Sequence, residues 1–230
     1  MLRALLSLLV LLPLAALTEA SPGALSADAA SGQDASHAAG SPTAEAPVLL
    51  VLGDSLSAAY GLPLDQGWVS LLQSRITDHG LPHRVVNAAI SGDTVAGGLS
   101  RLPSLLVEHE PTIVLIELGA NDGLRGFPPA KIESDLVTLV EQAQSVGARV
   151  LVVGLRLPPN YGSAYTERFQ QLFAKVAERT GAALLPRLLA DVAEDRGLMQ
   201  ADGLHPTAEA QPMILDTVWP VLLPLLTGNE

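Results

Sequence analysis

Residues 48–61 read VLLVLGDSLSAAYG. An unbroken apolar run stops at Gly53-Asp54-Ser55, with no gradual change of character. A strand with one wet face alternates apolar and polar residues. A continuous run instead implies cover on both faces, as in a parallel sheet between helices. The abrupt polar end then carries information, because ligands of such sheets gather outside the carboxyl ends of the strands.

Four further runs have the same character: 84–89 (RVVNAA), 112–119 (TIVLIELG), 149–155 (RVLVVGL) and 182–186 (AALLP). Between them the apolar period lengthens to that of a helix. Val95, Leu99, Leu102 and Leu106 form one stripe; Ile132, Leu136, Leu139, Val140 and Ala143 a second; Phe169, Leu172, Phe173 and Val176 a third. Asp93 or Thr94 caps the first of these helices and Pro129 opens the second. A last helix follows Pro206 and carries Met213, Ile214 and Val218, with Pro220 and Pro224 expected to kink or shorten its far end. Strict alternation of strand and helix specifies a three-layer α/β/α sandwich on a five-stranded parallel sheet.

The chain has 230 residues, 48% of them hydrophobic, enough for one domain with a sizeable core. A net charge of −11 without a basic run excludes a nucleic-acid partner. The absence of cysteine excludes disulfides and thiolate chemistry. At the N-terminus Arg3 precedes an apolar core from Ala4 to Leu17 and small residues ending at Ala20. That layout predicts a signal peptide over 1–20 and an exported chain, periplasmic or secreted. The apolar core is short for a bilayer span, which disfavours the alternative of an uncleaved anchor. Residues 21–46, rich in Ala, Ser, Gly and Pro, read as a flexible linker before a domain over 47–230.

Polar blocks follow the strands: GDSLS (53–57), SGDT (91–94) and GAND (119–122), with DGLHP (202–206) before the last helix. Each alone makes an ordinary turn or cap. Brought to one sheet edge they supply a hydroxyl (Ser55), an imidazole (His205) and a carboxylate three residues upstream of it (Asp202). They add three donors: the Ser55 and Gly92 N–H groups and the Asn121 amide. These are the parts of an acyl-transfer site, namely nucleophile, base, orienter and oxyanion hole. Asp93, Asp122 and Glu117 compete with Asp202 as orienter, but only Asp202 is tied to His205 by a short loop. Asp54 reads as a brace of its turn. His79, His83 and His109 are expected to be solvated surface groups. No cluster has metal-ligand spacing, so no metal and no cofactor are expected.

The same blocks resemble the GDSL, or SGNH, hydrolases, with Ser55, Gly92, Asn121 and His205 standing where that family has its Ser, Gly, Asn and His. GDSLSAAY, NAAISGDT, ELGAND, PPNYG (158–162) and DGLHPTAEAQP bring the likeness closest to the small exported thioesterase I, arylesterase or lysophospholipase subgroup. The resemblance implies a flavodoxin-like fold and a monomeric serine esterase. Its implied substrates are small-molecule or lipid esters (aryl esters, acyl thioesters, lysophospholipids), with no stable membrane insertion after signal cleavage. Leu56, Leu157, Pro158, Asn160 and Tyr161 are expected to contact substrate, on an apolar surface suited to acyl or aryl groups. An O-acetyl esterase of exported polysaccharide or peptidoglycan is the alternative, and a turnover-free binding protein the alternative of another class.

Overall fold

The computed structural model describes residues 46–228. The leader assigned to 1–20 and all of the linker except its last residue lie outside that range. Five parallel strands, β1 (Val48–Gly53), β2 (Arg84–Asn87), β3 (Ile113–Glu117), β4 (Arg149–Val153) and β5 (Ala183–Leu185), form one sheet in the order β2-β1-β3-β4-β5. The reversal lies beside β1, so the switch point of the sheet falls at the Gly53 turn and the loop after β3.

The apolar runs become strands because both faces are covered. Val48 to Gly53 and Ile113 to Glu117 are buried throughout. Helices α2 (Val95–His109), α4 (Pro129–Ser145) and α5 (Ser163–Thr180) pack against one another in sequence, and α1 (Trp68–Asp78) packs against α6 (Gln211–Thr227). The two groups cover opposite faces, as right-handed crossovers require. A short helix α3 (Ala120–Leu124) follows β3 directly. The stripes on α4 and α5 are buried in full. On α2, Val95, Leu102 and Leu106 are buried, and Gly98 packs where a Cβ would come within 2.5 Å of Leu118 Cδ1. Thr94 is the cap of α2, its hydroxyl accepting from Gly97 N–H at 3.1 Å.

The edge strand departs from the continuous-burial pattern. β2 is only half buried and ends at Asn87, two residues short of the apolar run. Asn87 is drawn into the centre instead: its Nδ2 donates to Ser57 O at 2.9 Å, bracing the turn after β1. The buried Gln211 accepts from Trp68 N–H at 3.0 Å, fixing the start of α6 against the start of α1.

The expected shortening of α6 does not occur. The helix runs through both Pro220 and Pro224 to Thr227. Both prolines are exposed, as are Asp216 and the Pro220 carbonyl position, so the carbonyls that lose their donors face water. Pro103 occupies α2 in the same manner. Leu222, Leu225 and Leu226 stay buried on the opposite face and hold the helix through the break in its ladder. Replacing Pro220 or Pro224 by Ala is therefore expected to stabilise the fold. The gain is about 1–2 kcal/mol each, the missing hydrogen bond and ring clash less the lost restriction of the unfolded chain. Urea unfolding measures it, and a loss of stability would show that the prolines set the helix direction.

Candidate active site

Gly53 ends β1 in register with Glu117 of β3. A Cβ at Gly53 would stand 2.7 Å from Ser57 Cβ and 3.0 Å from Glu117 Oε2, so the chain can pass only without a side chain. Beyond it the turn is held from beneath. Asp54 N–H donates to Glu117 Oε2 at 3.2 Å, and the Ser57 hydroxyl donates to the same oxygen at 2.8 Å. Asp54 is buried and turned inward: Oδ1 accepts from Leu56 N–H and Oδ2 from Asn121 Nδ2, both at 3.1 Å. Trp68 Nε1 donates to Leu56 O at 3.1 Å. These contacts leave the Ser55 side chain at the surface of a cavity, partly buried.

His205 arrives from the loop before α6. Its Nε2 lies 2.9 Å from Ser55 Oγ, and its Nδ1 lies 2.7 Å from Asp202 Oδ2. Asp202 Oδ1 also accepts from the Leu204 and His205 N–H groups at 2.9 and 3.0 Å, closing the short loop on itself. The His205 hydrogen bond, then the Leu204 N–H, lower the Asp202 carboxyl to about 2, which favours its ionised form. An anion on Nδ1 keeps the proton on that nitrogen and leaves Nε2 free to accept. The loop is tied to the serine turn by Gln200, whose Nε2 donates to Tyr60 O and Pro206 O, both at 2.9 Å. Tyr60 stacks on the imidazole with ring centroids 4.4 Å apart.

The other carboxylates are occupied elsewhere. Asp93 holds Arg101, with Nη2 at 2.6 Å, while Arg101 Nη1 donates to Ala88 O. Asp122 accepts from Val95 N–H at 3.0 Å and secures α3 to α2. Glu117 lies under the turn, away from His205 and with no exposure to solvent. Asn121 comes from α3, one residue after Ala120, and keeps one amide hydrogen beyond its bond to Asp54. Gly92 adopts φ 81, a left-handed conformation that suits glycine. Arg125 Nη2 donates to Gly92 O at 3.2 Å. Among the described residues, neither the Ser55 N–H nor the Gly92 N–H donates to a protein acceptor.

A cavity of about 810 Å³ opens beside these groups. Leu56, Leu157 and Pro158 line it, as the sequence suggests. Asn160 and Tyr161 do not: Tyr161 lies behind the wall, its hydroxyl donating to Leu124 O at 3.0 Å, so it supports the lining rather than forming it. Much of the remaining wall comes from the segment after β5, with Arg187, Leu188, Leu189, Ala193 and Glu194. That segment matches no motif. Its signal was its position after a strand, the same rule that located the other blocks. His83 is a second correction. It is 6% exposed, with Nδ1 unpartnered, because it enters β2 under the α1 side chain Gln73, which donates to its carbonyl. Among the described residues no group of His, Asp and Glu side chains is arranged to hold a metal ion.

Residues 51–211 match the model of the GDSL-like lipase/acylhydrolase family. The chain is 54% identical over 183 residues to an esterase, TesA, of Pseudomonas aeruginosa, covering 80% of this chain and 91% of that one. It is 43% identical over 187 residues to thioesterase 1/protease 1/lysophospholipase L1 of Escherichia coli K12, covering 81% and 88%. Among solved structures, the psychrotrophic esterase EstA from Pseudoalteromonas, inhibited by monoethylphosphonate, superposes with a TM-score of 0.75 at 44% identity. That match covers 78% of this chain and 98% of EstA.

The crowding at Gly53 gives a direct check of the support beneath Ser55. Gly53→Ala should push Ser57 and Glu117 apart and lower stability by about 1–3 kcal/mol, as overpacking does. Thermal unfolding measures this, and an unchanged Tm would mean that the turn yields without strain.

Proposed function

The chain belongs to the GDSL-like lipase/acylhydrolase family and is an ester-bond hydrolase, and from that premise we propose that Ser55, His205 and Asp202 form its catalytic triad. The observation that carries the proposal is the pair of contacts on one imidazole, 2.9 Å to the Ser55 hydroxyl and 2.7 Å to the Asp202 carboxylate. His205 takes the Ser55 proton as Oγ attacks the acyl carbon, then gives it to the departing alcohol or thiol. Water repeats the sequence on the acyl-enzyme. Asp202 holds the imidazole tautomer and stabilises the imidazolium. The negative oxygen of each tetrahedral intermediate is received by the Ser55 and Gly92 N–H groups and the Asn121 amide. All three lack a competing protein acceptor for the hydrogen concerned, and each such donor is worth roughly 10²–10³ in rate.

The substrate class follows from the cavity. Leu155, Leu157, Leu188 and Leu189 give it apolar walls, and its size accommodates an acyl chain or an aryl group. These walls favour carboxylic esters and thioesters of such groups, lysophospholipids included, over acetyl esters of hydrated sugars. The names of the relatives point in the same direction. No described helix is long and apolar enough to cross a membrane. The layout of residues 1–20 supports export, and the acidic surface supports a soluble monomer.

A series of p-nitrophenyl esters from acetate to palmitate tests the reading. Each methylene buried in the cavity is worth about 0.8 kcal/mol, so kcat/KM should rise roughly fourfold per added methylene until the cavity is full. Ser55→Ala and His205→Ala should fold normally and fall to near background. Asn121→Ala should lower kcat about 10²–10³-fold with little change in KM. Normal turnover by Ser55→Ala would exclude the mechanism, and a preference for acetate would exclude the acyl-chain cavity.

A further inference from the structure

The end of β3 carries a carboxyl group that this reaction scheme leaves unused. Glu117 is wholly buried. Its Oε2 accepts from the Asp54 N–H and the Ser57 hydroxyl, while its Oε1 is buried without any partner. Beside it is a second buried carboxyl, Asp54, with Oδ1 on the Leu56 N–H and Oδ2 on the Asn121 amide. Among the described residues neither acid makes a salt bridge. Two adjacent carboxylates, both charged and both out of water with no cation, are mutually destabilising. One proton placed on Glu117 removes the repulsion and leaves a single charge on the pair.

We propose that Glu117 is a positioning residue that carries a proton, leaves Asp54 the one charged acid of the pair while holding its backbone N–H, and through Asp54 fixes the Asn121 amide where the oxyanion forms. The chain of contacts is short. Glu117 holds Asp54 anionic and immobile. Asp54 in turn holds one hydrogen of the Asn121 amide. Reversing that amide would set its oxygen against the Asp54 carboxylate, so the second hydrogen has one direction available, toward the cavity. Burial, and then the charge of Asp54, push the Glu117 carboxyl well above the usual range, in keeping with this proton. Burial raises Asp54 as well, while the hydrogen bond from the Leu56 N–H acts to lower it.

The inference rests on the oxyanion role proposed above for Asn121, and the test separates the two. Values of kcat and KM on one p-nitrophenyl ester are compared for Asn121→Ala, Asp54→Asn, Glu117→Gln, Glu117→Ala and the double variant Glu117→Ala/Asn121→Ala. Glutamine reproduces the protonated acid, accepting on one atom and donating from the other, so Glu117→Gln should lose less than about threefold in kcat. Glu117→Ala and Asp54→Asn should each lose about 10- to 100-fold in kcat with KM nearly constant, part of the worth of one oxyanion donor. In the Asn121→Ala background the further loss from Glu117→Ala should shrink to about threefold or less, because the group it positions is gone.

If Asn121→Ala keeps its kcat, the oxyanion reading falls and this inference with it. If Asn121→Ala is crippled but Glu117→Ala keeps its full effect in that background, only the inference falls. A loss of more than about tenfold for Glu117→Gln also overturns it, since an ionised carboxylate would then be required. Should Glu117→Ala not fold, the Gln and Asp54→Asn variants still decide.

A second readout does not depend on activity. Asp54 is the ionisable group facing Glu117, with His205 acting on Asp54 from across the nucleophile turn. The folded state retains a proton that the unfolded chain releases above the ordinary carboxyl range. Wild-type stability should therefore fall with rising pH more steeply than that of Glu117→Gln, by about one proton. Parallel curves in urea unfolding from pH 5 to 8, a range set by the ordinary carboxyl values of about 4, would contradict the proton on Glu117.

Discussion

The hydrogen bond between His205 Nε2 and Ser55 Oγ joins residues 150 positions apart, and the rest of the molecule can be understood as what makes it possible. Neither group reaches the other through local structure. A parallel sheet delivers the ends of β1 and β3 to the same rim, and α6 brings the histidine loop back over that rim. The anchors of that loop are polar and buried or partly buried: Gln211 on Trp68 N–H, and Gln200 on the carbonyls of Tyr60 and Pro206. Apolar packing alone would bring the surfaces together without fixing an alcohol and an imidazole to within hydrogen-bond distance.

Beneath the nucleophile the design is reversed. Where the rim carries polar groups open to the cavity, the floor carries two acids withdrawn from water. Their burial is unfavourable by itself and is tolerated because each acid organises backbone and side-chain donors that have no other partner: Asp54 and Leu56 N–H, Ser57 Oγ and Asn121 Nδ2. On the proposed mechanism, the donors that meet the oxyanion are thereby oriented before substrate binds, which is the condition under which such groups lower a barrier.

The fold was legible because parallel sheets advertise themselves: five unalternating apolar runs, separated by stretches of helical period, leave few other architectures. The blocks holding Ser55, Gly92, Asn121, Asp202 and His205 were legible for a related reason, since function and turn geometry select the same short sequences. The remainder depends on context that no local pattern contains. Pro220 and Pro224 read as helix breakers, and only the exposure of their faces makes them harmless. Asn160 and Tyr161 sit in a motif-rich loop yet do not line the cavity, while residues from the stretch Arg187 to Glu194 do. His83 reads as a surface residue, yet it is buried where the chain enters β2, beside Gln73 of α1. Glu117 resembles any strand-end acid until Gly53, one strand away in register, is seen to have made room for it.

The central claim is that one serine, one imidazole and three donors converge on a single reacting carbon. A crystal structure of the enzyme inactivated by an alkyl fluorophosphonate tests it most directly, because the phosphorus centre takes the tetrahedral form of the intermediate. The account predicts phosphorus bonded to Ser55 Oγ, with its phosphoryl oxygen about 2.7–3.1 Å from Ser55 N, Gly92 N and Asn121 Nδ2. Modification of a different side chain, or a Ser55 adduct whose phosphoryl oxygen points to solvent, would contradict it.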